Sequence, residues 1–114
     1  MILNHIAIIV SSEEGVEFYK QFGYEEMSRK VRPEQHDAIV FLKGENSVLE
    51  IFVDSTHPAR VTNPEAYGLR HLCFEVDDLS RFSFDEQIRV NDAGARYSFL
   101  KDPDGLPIEI REVK

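Results

Sequence analysis

A chain of 114 residues holds one ordinary domain around a single core. Its 13 basic against 21 acidic residues leave a net charge of -8, which repels phosphate backbones and anionic bilayers and so excludes nucleic acid and membranes as partners. Cys73 is the one cysteine, the longest apolar runs are strand-sized and no basic-then-apolar leader opens the chain, so a cytoplasmic protein without an intramolecular disulfide is expected, acting on a neutral or metal-assisted small molecule.

Leu3 to Val10 (LNHIAIIV) is rich in Ile and Val and reads as a strand buried on both faces, with His5 on the face of Ala7 and Ile9. Ser11 and Glu14 have capping-box spacing, and Val16, Phe18, Tyr19 and Phe22 recur at helical intervals before Gly23. That predicts a helix of about three turns with Glu13, Glu14 and Glu17 on its solvated face. Residues 24–31 and 37–43 read as strands joined by the turn at Arg32 and Pro33. Residues 44–46 then turn the chain into a strand over 47–53, where Leu49, Ile51 and Val53 share one face and Glu50 lies on the other.

The polar stretch 54–68, with Pro58, Pro64 and Gly68, is expected to link two modules, 1–53 and 69–114, of one domain spanning 1–114. The second module opens with a strand over 69–76, its apolar face formed by Leu72, Phe74 and Val76 and its other face by His71, Cys73 and Glu75. About one or two helical turns carrying Leu79 and Phe82 follow, then strands over 87–90, 95–101 and 106–111, divided by turns at 91–94 and at DPDG.

The modules are copies. LRHLCFEV, from Leu69, repeats LNHIAIIV 66 residues later, and FLKGENSVLEI, from Phe41, returns as FLKDPDGLPIEI, from Phe99. From His5 to Glu50 is 45 positions and from His71 to Glu109 only 38, a loss of seven that falls on the second helix because the flanking strands align without gaps. The expected fold is α+β, two paired βαβββ modules around a half-open concave sheet surface, the second with a shortened helix. Each half is too short to bury its own apolar face well, so the halves pack together within or between chains.

An approximate twofold between the modules brings His5, Glu50, His71 and Glu109 together, each in the phase opposite the core side chains of its strand. Two imidazoles and two carboxylates suit a divalent ion of intermediate character, Zn, Ni, Co, Mn or Fe, one per site. His36 and His57 lie in polar turn and linker segments and read as solvated, and Cys73 reads as a small apolar filler.

These stretches resemble the vicinal oxygen chelate superfamily, and within it the glyoxalase-like branch. The similar segments are LNHIAI, SVLEIF, PEAYGLRHLCFEVDD and DPDGLPIEI. The resemblance implies that His5, Glu50, His71 and Glu109 are metal ligands, that Glu109, or in this pseudo-symmetric site Glu50, is the catalytic base, and that the protein is a homodimer. It implies metal-assisted proton transfer on a small 2-oxo or 2-hydroxy compound or its thiol adduct, as in a lactoylglutathione lyase. The fourth ligand, Glu50, favours this branch over the superfamily's dioxygenases and fosfomycin transferases. Ile9 stands where glyoxalase I enzymes carry a glutathione-binding arginine, and Asp54 where they carry an asparagine, which counts against glutathione. The alternative is a small-molecule binding protein of the same fold without turnover.

Overall fold

In the computed structural model, which describes residues 1–113, burial alternates along the first strand, β1 (Ile6–Val10). Ile8 and Val10 are buried, whereas Ala7 and Ile9 face outward. The strand expected to be covered on both faces is covered on one, because its module carries a single helix, on the Val10 side. That helix, α1 (Glu13–Lys20), buries Val16 and Tyr19. Its cap is Ser12, not Ser11: the Glu14 N–H donates to Ser12 Oγ at 3.3 Å, satisfying one of the donors a helix start leaves open. Glu13 and Glu17 do not stand free, since Arg29 forks onto Glu13 and Lys20 reaches Glu17 at 2.9 Å.

Gly15 sets how closely α1 approaches β1. A Cβ there would lie 2.5 Å from Val10 Cβ, an overlap that only a shift of helix against strand can relieve. Gly15→Ala therefore pits a helix-propensity gain of about 1 kcal/mol against overpacking of about 1–3 kcal/mol. With the clash falling on a Cβ fixed to the backbone, overpacking wins. The expected result is a lower urea midpoint, and an unchanged or raised one would contradict this packing.

The first unit, Met1–Ala59, continues with β2 (Glu25–Arg32), β3 (Asp37–Lys43) and β4 (Val48–Val53). The sheet order is β1-β4-β3-β2, with β1 and β4 parallel and the other pairs antiparallel. Its core joins Ile8, Val10, Val16 and Tyr19 to Val40, Leu42, Leu49 and Ile51. At the turn between β2 and β3, Arg32 Nε and Nη2 donate to the two oxygens of Asp37 at 2.8 and 2.6 Å. These bonds hold the Asp37 carboxyl below its ordinary value of 3.8. A depressed carboxylate stabilises the fold above its unfolded-state value, and that contribution fades as pH falls through the folded one. Asp37→Asn should therefore lower the urea midpoint at neutral pH, with the gap to the parent closing in acid. A gap that stays constant with pH would rule out the ion pair as its cause.

The second unit, Arg60–Lys114, repeats the sheet with β5 (Leu72–Val76), β6 (Arg89–Val90), β7 (Arg96–Lys101) and β8 (Pro107–Glu112) in the order β5-β8-β7-β6, β5 and β8 being parallel. Where the first unit has α1, a single 3₁₀ turn over Leu79–Arg81 remains. Asp78 Oδ1 caps it by accepting from the Ser80 N–H at 2.8 Å, and Leu79 is fully buried. The core is Leu79, Leu100, Leu106, Ile108 and Ile110, plus Ser98, whose hydroxyl reaches the carbonyls of Glu86 and Gln87 at 3.0 and 3.2 Å. Among the described residues, no helix is long and apolar enough to cross a membrane.

Candidate metal-binding site

Strand register explains why each histidine meets its glutamate. In the parallel pair β1/β4, Ala7 lies opposite Glu50, and in β5/β8 Cys73 lies opposite Glu109. Side chains opposite one another share a face, and so do residues two apart along an extended chain. His5 and His71 each stand two residues before that partner, just ahead of the strands rather than inside them as expected. From there their rings lie against the carboxylates: His5 Nε2 is 3.3 Å from Glu50 Oε1, and His71 Nε2 is 3.2 Å from Glu109 Oε1.

The antiparallel neighbour supplies a third repeated element. Phe41 lies opposite Glu50, and Phe99 opposite Glu109. The rings of His5 and Phe41 meet edge-on with centroids 5.7 Å apart, those of His71 and Phe99 at 5.2 Å. The structure thus brings the four residues singled out from the sequence together as two His–Glu pairs, one per unit, each walled by a phenylalanine. Among the described residues, no group of three or more His, Cys, Asp or Glu side chains is placed to hold a metal.

The pairs differ in hydrogen bonding. Asn4 Oδ1 is 2.8 Å from His5 Nδ1. An amide oxygen only accepts, so Nδ1 is the donor in this contact and Nε2 is left facing the Glu50 carboxylate. At His71 the neighbour is Arg70 Nη1, 3.0 Å from Nδ1. Arginine only donates, so Nδ1 accepts and Nε2–H donates to Glu109. His71 can give its Nε2 lone pair to an ion only after Arg70 lets go of Nδ1.

Glu109 is the more enclosed carboxylate, its side chain 10% exposed against 18% for Glu50. Arg111 Nη2 donates to its Oε2 at 3.0 Å, fixing the carboxylate's rotation and leaving Oε1 toward His71. The position matching Arg111 in the first unit is Phe52, so Glu50 lacks this brace. Burial, reinforced by the Glu109 carboxylate, pushes the Cys73 thiol up to about 11. It is protonated at neutral pH and a poor metal ligand there. Asp54 Oδ1 accepts from the Thr56 N–H and hydroxyl, and Oδ2 faces His57 Nε2 at 3.3 Å.

The donor set fits a divalent ion. Nitrogen and oxygen ligands about 2.1 Å from one ion stand about 3.0 Å apart at a right angle and about 3.4 Å apart at a tetrahedral angle. The His5–Glu50 separation falls between these limits, whereas the His71–Glu109 contact is the N–H···O hydrogen bond described above. The Nδ1–H of His5 held by Asn4 is the kind of outer partner that orients a ligating imidazole.

Comparison with known proteins bears on the family and the fold. Residues 2–110 match the family described as the Glyoxalase/Bleomycin resistance protein/Dioxygenase superfamily. The uncharacterized protein YwkD of Bacillus subtilis is 36% identical over 96% of this chain and 95% of its own. Human mitochondrial methylmalonyl-CoA epimerase is 28% identical over 96% of this chain and 73% of its own. The crystal structure of a glyoxalase family protein from Enterococcus faecalis superposes with a TM-score of 0.84 at 35% identity, over 97% of each chain.

Proposed function

Because the chain belongs to the glyoxalase/bleomycin resistance protein/dioxygenase superfamily, we propose that it is a metal-dependent lyase or isomerase that moves a proton between neighbouring carbons of a small 2-oxo or 2-hydroxy compound or its thiol adduct. The observation that carries this reading is the repeated pairing of an imidazole Nε2 with a carboxylate Oε1 at 3.2–3.3 Å, one pair per unit. The superfamily commonly binds divalent metals, and the name of the human relative denotes an epimerase of an acyl thioester. Inverting a carbon beside a carbonyl is itself proton removal and return.

In this proposal His5, Glu50, His71 and Glu109 would hold the ion, in a homodimer. A divalent ion bound there would supply Lewis acidity for negative charge developing on the substrate oxygens. Glu109 takes the proton from the carbon next to the carbonyl and returns it to the neighbouring carbon, with Arg111 keeping the carboxylate turned toward its target. Glu50 fills the same role from the other face of a pseudo-symmetric site. Phe41 and Phe99 meet the imidazoles edge-on and help fix the orientation of the rings.

Methylglyoxal adducts of several thiols, and an acyl-thioester epimerisation assay, each run with chelator and with added Ni or Zn, test this. Metal-dependent turnover of any of them is the expected outcome. Arg70 and Arg111 already satisfy the second pair without an ion, and that observation favours the alternative of a binding protein. Ligand binding without turnover in any metal form would make the alternative the better reading.

A further inference from the structure

We infer that the cavity beside His71 seats an anionic group, a carboxylate or a phosphate, at the end of the substrate remote from the reacting carbons. Its role as a substrate subsite rests on the proposed function above, but its capacity for anions does not.

The cavity lies within the second unit and encloses about 510 Å³, within the range of small-molecule sites. It abuts the His71–Glu109 pair through two of its walls. One is the Phe99 ring, 5.2 Å from the His71 ring between centroids. The other is Arg70, which reaches His71 Nδ1 and whose guanidinium lies 6.0 Å from the centre of the Phe99 ring.

Its charge runs against that of the chain. Arg60, Arg70, Arg89 and Lys101 line it against Glu65, Asp85 and Glu86, a positive balance in a protein of net charge -8. Of the four cations, only Arg70 is held in an ion pair among the described residues. Arg60 donates to the carbonyls of Leu69 and Arg70 at 3.0 and 3.2 Å, which fixes the guanidinium in the wall without neutralising it. Arg70 shares its charge with Glu65, Nε to Oε2 at 3.1 Å. Among the described residues, Arg89 and Lys101 enter no ion pair. Arginine and lysine converging on a cavity of this size are the groups that hold carboxylate and phosphate oxygens. The excess of acidic residues elsewhere repels large polyanions and leaves this pocket for a small one.

The test is titration of the purified full-length protein with inorganic phosphate and with malonate, ionic strength held constant with chloride, read by calorimetry and by the NMR shift of the His71 ring protons. Saturable binding of at least one anion is expected; phosphate alone points to a phosphorylated substrate, malonate alone to a carboxylic acid. Arg89→Met with Lys101→Met, both exposed, should weaken that binding on the order of tenfold. Glu65→Gln should strengthen it severalfold, because it removes the carboxylate that competes for Arg70. No saturable binding, or equal affinity in the parent and the Arg89→Met/Lys101→Met variant, would overturn the inference. Repeating the titration after chelation separates the two readings: anion binding that persists in a protein showing no metal-dependent turnover keeps the pocket and removes the catalytic proposal.

Discussion

Glu109→Gln should lower turnover about 10²- to 10⁴-fold, the range of general acid–base contributions, while metal affinity changes little. An amide oxygen still coordinates an ion but cannot take a proton. Arg111 keeps an oxygen to donate to, so the side chain should hold its orientation even though the charge is gone. Glu50→Gln is the internal control, equivalent by duplication but without the arginine brace. Its loss should be smaller, unless the two carboxylates serve opposite enantiomers, in which case each variant loses one enantiomer selectively. Nearly full activity in Glu109→Gln with metal bound would remove Glu109 from the base role.

The second large effect concerns stability. A divalent ion that binds only the folded protein should raise its stability by about 4 kcal/mol at a thousandfold excess over Kd, and His5→Ala or His71→Ala should abolish that gain. A melting temperature indifferent to chelator and to Ni, Zn, Co and Mn would defeat the four-ligand proposal. The same variants report on assembly. If partner chains share a site, mixing His5→Ala with His71→Ala subunits changes the number of intact sites, and an arrangement confined to one chain forbids this. A monomer at micromolar concentration in sedimentation would exclude the homodimer.

Most of the fold was legible because strand alternation and duplication are sequence signals. The repeat around His5 and His71 located both imidazoles, and the period-2 pattern around Glu50 and Glu109 placed both carboxylates outside the core phase. Phe41 and Phe99 were within reach, since each opens a repeated ending, but their role depends on the register of β3 on β4 and of β7 on β8, which periodicity alone does not give. Arg70 and Arg111 were missed for a different reason. Each has no counterpart in the other copy, Asn4 standing in place of Arg70 and Phe52 in place of Arg111, so the repeat drew attention away from them. The helix cap went to Ser12 because one residue decides a cap and both serines have the right chemistry. Net charge was too coarse to reveal the cavity: averaged over the chain it hides the four basic residues that line it beside three acidic ones.

The 3₁₀ turn that replaces the second helix bears on how such proteins diversify. From Asp77 to Ile88 a single side chain, Leu79, is fully enclosed, and the segment is otherwise held mainly through its backbone, the Leu79 N–H donating to Glu112, the Asp85 N–H to the Phe99 carbonyl, and the Glu86 and Gln87 carbonyls accepting from Ser98. A stretch anchored by so few side chains can gain or lose residues without disturbing the sheet behind it. Since Asp85 and Glu86 in that stretch line the basic cavity, length changes there would resize the ligand chamber while the His–Glu frame stays put. Substrate range and chemistry can thus drift apart in descent, one recorded in a tolerant loop and the other in paired strands.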